Sequence, residues 1–403
     1  MILLCTNLTT RNTNRGLHGG TSLFHKQLQV KSPLDFDLPY LEDLRCGNQS
    51  NIWPSNKKKL TVAAFGGSVT ADGSYTRPLQ KDMGVAFSTS VEFVNYAEPA
   101  TGPEYASLCG SQALLIQSTR VDVVLVEYCQ NDFDPGAADL IQLVESLMVT
   151  HFVFYYCHYS PRLITRINQG FQVPEKHWNE MINRGLAIYR TKHMMELMKP
   201  ESVERFFRDA VHLTPLGGQT VAKQLSVAIT HCLNRSPAVI DALRTSSTVD
   251  HHLPRCYSSL GPRKSRNIHR IIRKNSGWEF KEDNHPSAPN GKNGYEAKLP
   301  GKCISFEVPD MCERRVFLFY LQSNSNETGD LSITIKGCRR EQLISTFAKK
   351  GYNHATRAQL EILAECCAEN LTKEDVEEFN ICSMQNPVTH GSRVRILSIA
   401  TAV

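Results

Sequence analysis

The stretch Leu60-Thr61-Val62-Ala63-Ala64-Phe65-Gly66-Gly67-Ser68-Val69-Thr70 decides how the chain is read. Thr61 to Phe65 make a short, largely apolar run of small and β-branched residues, ended at once by two glycines. Such a run reads as a buried strand of a parallel sheet. Gly66 and Gly67 permit a sharp turn that residues with a Cβ resist. Ser68 then stands just past the C-terminal end of the strand, where open α/β sheets gather their ligands. That position makes the Ser68 hydroxyl a candidate nucleophile.

Strand and helix patterns alternate outward from this stretch. Val91 to Tyr96, Val121 to Tyr128 and Phe152 to Cys157 read as further strands, the valine-rich second one most clearly. Helical periodicity runs over Glu104–Ser118, Ala137–Thr150, Glu175–Met198 and Gln219–Leu233. Strands alternating with helices predict a parallel sheet covered on both faces, a three-layer α/β/α domain over residues 60–235. Residues 1–59 are polar and mixed and read as an N-terminal extension. Residues 236–276 lose the periodicity and read as a linker. Beyond Gly277-Trp278, short alternating runs such as Cys303–Val308, Arg315–Leu321, Leu331–Ile335 and Ser392–Ile399 predict a smaller β-sandwich over residues 277–403. A helix is expected within it near Lys373–Phe379, and Asn290-Gly291 and Asn293-Gly294 fit tight turns.

Composition narrows the function classes. The chain has 403 residues, 41% hydrophobic and 21% charged, with a net charge of +5. This describes a folded globular protein of two domains rather than a disordered one. The mild charge does not call for nucleic acid, and the basic run Arg263 to Lys274 lacks the interleaved aromatics such binding needs. No apolar run is long enough to span a bilayer. Thirteen cysteines leave at least one unpaired in a monomer. Cys109, Cys129 and Cys157 read as free core cysteines acting as small hydrophobes. The six between Cys303 and Cys382 are candidates for disulfides. No CxxC pair suggests zinc. Sequons at Asn7, Asn48, Asn326 and Asn370 lean, with the cysteines, toward the secretory pathway, while Met1 to Gly16 reads as no signal peptide.

Four features follow one another in the α/β half: Ser68, Gly102 in the breaker-rich loop Glu98–Pro103, Asn131 in Gln130-Asn131-Asp132, and Asp209 with His212 in Asp209-Ala210-Val211-His212. A serine hydroxyl needs an adjacent base, for which neutral imidazole is suited. The imidazole needs an acceptor on its other nitrogen, and a carboxylate three residues away can reach it. An oxyanion needs preorganised donors, which the Ser68 N–H, the Gly102 N–H and the Asn131 amide could supply. The plain readings are a turn for Gly66-Gly67-Ser68 and Gly102, a helix cap for His212 and Thr70, and an Asx-turn for Asn131. Asp132 reads as structural, and His158 as a strand-end histidine beside the pocket.

The order of the four blocks resembles the SGNH hydrolases, or GDSL-type esterases, over roughly Leu60 to Leu233. The chain departs from them at Gly67, where the family usually has aspartate, and at Leu213, where proline often follows the histidine. With its C-terminal β-domain the whole layout is similar to a divergent eukaryotic branch. The resemblance implies a catalytic Ser68, Asp209 and His212, an oxyanion hole of Ser68, Gly102 and Asn131, and no cofactor. It implies hydrolysis of a short acyl ester, with acetyl on a polysaccharide as the expected case. A glycan O-acyltransferase using the same residues, or a non-catalytic glycan-binding protein keeping the fold, are the alternatives.

Overall fold

The computed structural model describes residues 43–49, 58–99, 101–110, 121–129, 141, 151–170, 172–235, 255–260, 267–282, 292–309, 311–348, 354–368 and 378–402. The run read first from the sequence is strand β2, Lys59–Gly66, preceded by the two-residue β1, Leu44–Arg45. Ser68 opens the single turn α1, Ser68–Ala71, and α2 follows at Thr76–Phe87. Then come β3 (Ser90–Asn95), β4 (Val123–Glu127), β5 (Phe152–Cys157) and β6 (Ala187–Arg190). The sheet runs β1-β6-β5-β4-β2-β3, with β2 to β6 parallel and β1 antiparallel on the edge. β4 and β5 are buried along their whole length, as expected of parallel strands covered on both faces. The fold is the three-layer α/β/α arrangement, followed by a β-sandwich. Its helices include α3 (Pro161–Asn168), α4 (Val173–Asn183), α5 (Lys192–Leu197), α6 (Pro200–Phe206) and α7 (Pro215–Arg235).

The single helix expected over Glu175–Met198 is three elements. Gly185 takes a left-handed φ of +72° and ends α4, and Ala187–Arg190 then enters the sheet as β6. A side chain at Gly185 would run into Asn48, so the break is fixed by packing as well as by backbone preference. The polar segment before β2 also takes part in the sheet. Gln49 donates to the Val153 carbonyl at 2.8 Å and accepts from the Val153 N–H at 2.9 Å.

The cysteines expected to be free are paired. Cys109 joins Cys256 and Cys129 joins Cys157; Cys46, to which the sequence reading assigns no role, joins Cys232. Cys129 and Cys157 stand at the ends of neighbouring strands, with Cα atoms 5.3 Å apart, inside the range a disulfide spans. In the second half Cys303 joins Cys382, Cys312 joins Cys367, and Cys338 joins Cys366. The thirteenth cysteine, Cys5, lies outside the described residues.

The sandwich starts earlier than the sequence suggests. Arg255–Ser258 (β7) and Ile272–Ser276 (β8) fall in the stretch read as a linker, yet both are sandwich strands. β9 (Glu279–Lys281), β10 (Gly294–Ala297), β11 (Cys303–Glu307), β12 (Arg315–Gln322), β13 (Asp330–Ile335), β14 (Glu341–Ser345) and β15 (His354–Gln359) follow. Then come α8 (Ile362–Ala368), β16 (Glu378–Met384) and β17 (Val394–Ala402). One sheet is ordered β15-β12-β17-β10-β9, with β7 also on β17, and the other β14-β13-β16-β11-β8. Asn293-Gly294 is no hairpin tip, since Gly294 begins β10, and Phe379 lies in β16 rather than in a helix. Asn290-Gly291 and residues 369–377 lie outside the described residues. Trp278, Ile304, Phe306, Leu318, Tyr320, Ile333, Ile381 and Ile396 form the buried core between the sheets. Phe317 and Phe319 of β12 alternate with its core residues, and in β17 a register shift opposite Phe319 and Tyr320 lets Leu397 and Ala400 also pack with Tyr105, Leu108 and Cys109 of the α/β half. The period of two along β12 makes both contacts possible at once.

Candidate active site

Three of the five candidate residues meet. His212 Nε2 lies 2.9 Å from Ser68 Oγ, and His212 Nδ1 lies 2.8 Å and 3.1 Å from the two Asp209 carboxylate oxygens. Ser68 and His212 are half-buried, while the Asp209 side chain keeps 51% of its surface exposed.

The loop that delivers the pair is built locally. Asp209 Oδ1 accepts the backbone N–H of Val211 and of His212, both at 2.8 Å, an Asx-type turn that puts His212 three residues on. The Arg208 N–H donates to the His212 carbonyl at 3.0 Å, and Phe207 bridges Leu213. Leu213 is buried and anchors the loop through its side chain. Burial by itself would raise the Asp209 carboxyl, but the donated N–H groups and the His212 ring bring it below the ordinary carboxylate value. Asp209 is therefore charged, as an acceptor for an imidazolium must be.

Two residues that sequence reasoning passed over join the two ends of this array. Arg208 donates to Asp72 at 2.9 Å, and the Asp72 side chain is only 2% exposed. Asp72 follows the Ser68 turn, and Arg208 precedes Asp209, so the ion pair spans both. Burial raises the Asp72 carboxyl, against the bonds from Ser74 and the Arg208 charge. Their one sequence signal is adjacency to the motifs.

Beneath Ser68 sits a buried polar cluster. A Cβ at Gly66 would strike the Thr70 side chain and the Glu127 carbonyl, which is why the strand ends in glycine there. Thr70 does not cap the helix. Its hydroxyl lies 2.7 Å from the Tyr75 hydroxyl and donates to Glu127 Oε2 at 3.3 Å. Burial pushes the Glu127 carboxyl up to about 8, only partly offset by the Thr70 bond and assisted by the Asp72 charge, so Glu127 is neutral at pH 7. His158 is buried too, 3.0 Å from the Tyr156 hydroxyl and packed on Phe207. Burial lowers it to about 3, against the Val211 backbone and helped by the His212 charge. It is a neutral support for the 207–212 loop, not a second base.

Gly102 stands in the turn after β3, extended at φ −103°, and leads into the helical turns Pro103–Tyr105 and Ala106–Gly110. That segment is tied to the Ser68 corner: the Glu98 N–H donates to the Gly66 carbonyl at 3.1 Å and Asn95 Nδ2 to the Thr70 carbonyl at 3.0 Å. Asn131 and Asp132 lie outside the described residues. Among the described residues no group of three or more His, Cys, Asp or Glu could hold a metal ion. No described helix is long and apolar enough to cross a membrane.

The geometry of Ser68, His212 and Asp209 is that of a hydroxyl whose proton can pass to an imidazole steadied by a carboxylate. No protein-family model matches the chain, and no curated protein matches it. Solved structures do. A two-domain esterase (CEX) active on acetylated mannans, co-crystallised with mannopentaose, aligns with a TM-score of 0.60 at 12% identity, over 90% of this chain and 97% of that one. A second structure of a two-domain esterase (CEX) active on acetylated mannans aligns with a TM-score of 0.55 at 12% identity, over 86% and 92%. The lipase/acylhydrolase from Enterococcus faecalis aligns with 43% of this chain and 96% of its own at 17% identity, with a TM-score of 0.36. The first two alignments run through both halves of the molecule, and the chain shares the two-domain fold of those esterases.

Proposed function

We propose that this chain is a serine esterase that removes short acyl groups, acetyl foremost, from a polysaccharide. The observation that carries the reading is the 2.9 Å approach of His212 Nε2 to Ser68 Oγ, with Asp209 on the other ring nitrogen. Ser68 Oγ attacks the ester carbonyl carbon and its proton passes to His212 Nε2. The imidazolium is held by the charged Asp209 and gives the proton to the sugar oxygen as the ester C–O bond breaks, so that the sugar leaves as a hydroxyl. Water, deprotonated by the same ring, then attacks the acyl-Ser68 carbonyl, the acyl–Oγ bond breaks with the proton returned from His212 to Ser68 Oγ, and the carboxylic acid leaves. The Ser68 N–H, the Gly102 N–H and the Asn131 side-chain amide are the donors assigned to the oxyanion, each worth a few kcal/mol in comparable sites. Residues 60–235 would then hold the chemistry, and the sandwich would contact the glycan chain. The half-exposed Ser68 suits an acyl group presented on a large polymer, and the shared fold with a mannan-active esterase supports a glycan substrate. Six disulfides support an oxidising compartment.

The test is release of acetate from acetylated mannan and acetylated xylan, with and without an added oligosaccharide acceptor. Hydrolysis by the wild type and none by Ser68→Ala is the expected result. Transfer to the acceptor outpacing hydrolysis would replace esterase by acyltransferase. No acetyl turnover on either polymer, nor on an activated acetate ester, would remove the reading.

A further inference from the structure

The segment after Gly102 is held from outside its own half of the molecule. Tyr105 is buried, and its hydroxyl lies 2.9 Å from Ser258 Oγ, which lies 2.7 Å from Ser398 Oγ. Its ring meets Phe319 edge-on, with centroids 5.4 Å apart. Four residues further on, Cys109 is disulfide-bonded to Cys256. Ser258 and Cys256 both belong to β7, whose only sheet partner among the described strands is β17. Within the segment, the Tyr105 N–H donates to the Gly102 carbonyl at 3.2 Å, so a shift of Tyr105 reaches Gly102 through its carbonyl, one Cα away from its N–H. The sandwich thus grips this turn by a covalent bond, a chain of three hydroxyls and an aromatic contact.

We propose that the β-sandwich is the positioning element for the Gly102 turn, with Tyr105 and the Cys109–Cys256 disulfide as positioning residues for the acyl-transfer step. This rests on the esterase reading above and on Gly102 as an oxyanion donor. Oxyanion donors act only when preorganised, and losing one outright costs about 10²–10³-fold in comparable enzymes. Loosening the turn leaves the donor present but poorly aimed. The expected loss is therefore about 10-fold in kcat with KM nearly unchanged, because the contact forms chiefly in the transition state. Tyr105 and Ser258 act through one bond, so Tyr105→Phe, Ser258→Ala and the double variant should fall by similar factors rather than multiply.

The experiment compares the full-length wild type, Tyr105→Phe, Ser258→Ala, the Tyr105→Phe/Ser258→Ala double and the Cys109→Ser/Cys256→Ser double. Each is measured for kcat and KM on an activated acetate ester and for amide hydrogen exchange across residues 101–110. Expected are faster exchange confined to that segment, most in the double serine variant, and a kcat loss with KM held. Unchanged exchange in the segment, or unchanged kcat, overturns the proposal. So does exchange that rises evenly through the sandwich while kcat and KM move together, since that marks general destabilisation. If Ser68→Ala is as active as the wild type, the esterase reading fails and takes the catalytic half of the proposal with it. If Ser68 is essential and the exchange does not change, the tether alone fails.

Discussion

The turn carrying Ser68 and the turn carrying Gly102 follow the neighbouring parallel strands β2 and β3, but they are fixed by different means. The Ser68 turn is held inside the α/β unit. Gly66 lets it close on Thr70, Thr70 rests on Tyr75 and Glu127, and the Asp72–Arg208 pair links it to the loop of His212. The Gly102 turn is tied to its own side through Glu98 and Asn95 and through Gly110 against the Phe65 ring, and is fastened to the sandwich through Tyr105 and Cys109. The difference separates two tasks. The proposed nucleophile and base are set by one unit, whereas the turn assigned to oxyanion binding is fastened to a second unit more than a hundred residues away in sequence.

The comparison is broken most severely by His212→Ala. Esterase turnover should drop by about 10⁴-fold, since a serine hydroxyl without its base is a weak nucleophile. Exchange at residues 101–110 should stay as in the wild type. Asp209→Asn keeps an acceptor for the Val211 and His212 N–H groups but removes the charge facing the imidazolium. Asp209 is half-exposed and water screens it, so the loss should be about 10²-fold, milder than for buried carboxylates of this kind.

Glu127 and His158 make the support beneath the site sensitive to pH in opposite ways. Glu127 is raised from 4.5 to about 8 in the fold. Its contribution to stability is present in full below pH 4.5 and is lost as pH rises toward 8, because the unfolded chain ionises first. His158 is lowered from 6.5 to about 3. Its contribution is present above pH 6.5 and is lost as pH falls toward 3. Between pH 4.5 and 6.5 the two slopes oppose one another, so stability should form a plateau that declines on both sides. Glu127→Gln should abolish the alkaline decline, a gain on the order of a few kcal/mol at pH 9 relative to the wild type. Urea unfolding at pH 5.5 and pH 9 checks it, and equal declines in both proteins would contradict it.

A smaller effect is expected when the link between the Ser68 corner and the His212 loop is cut. Arg208→Met should lower kcat by about 3- to 10-fold, because Asp72 stays buried without its cation and the loop loses one of several anchors. Asp72→Asn together with Arg208→Met should recover part of that loss by removing the stranded charge. Steady-state kinetics of the three proteins decides the point.

Much of this arrangement is legible in the sequence, for physical reasons that differ by element. β2 is readable because a buried parallel strand must be apolar throughout and its glycines mark the turn. Ser68, Asp209 and His212 are readable because the chemistry demands those residue types and the Asp209–His212 spacing is local. β6 is not, because Met181, Ile182 and Leu186 continue a helical period across Gly185, and the break shows in the left-handed φ of that glycine and the packing of Asn48 against it. β7 reads as linker because its pairing with β17 is made by residues about 140 positions away. Cys109 reads as an ordinary core residue for the same reason: its partner is 147 residues distant, and nothing local records it. Glu127 carries a signal that could have been used, an acid at the end of a run of buried valines. Such a group must be neutral or paired.

The central claim is that Ser68 is the nucleophile and His212 its base. Incubation with a fluorophosphonate, followed by intact mass and peptide mapping, tests it most directly. One adduct per chain on the peptide containing Ser68, absent from Ser68→Ala and formed far more slowly in His212→Ala, is the predicted result. No adduct on the wild type, or the same labelling of Ser68→Ala, would contradict it.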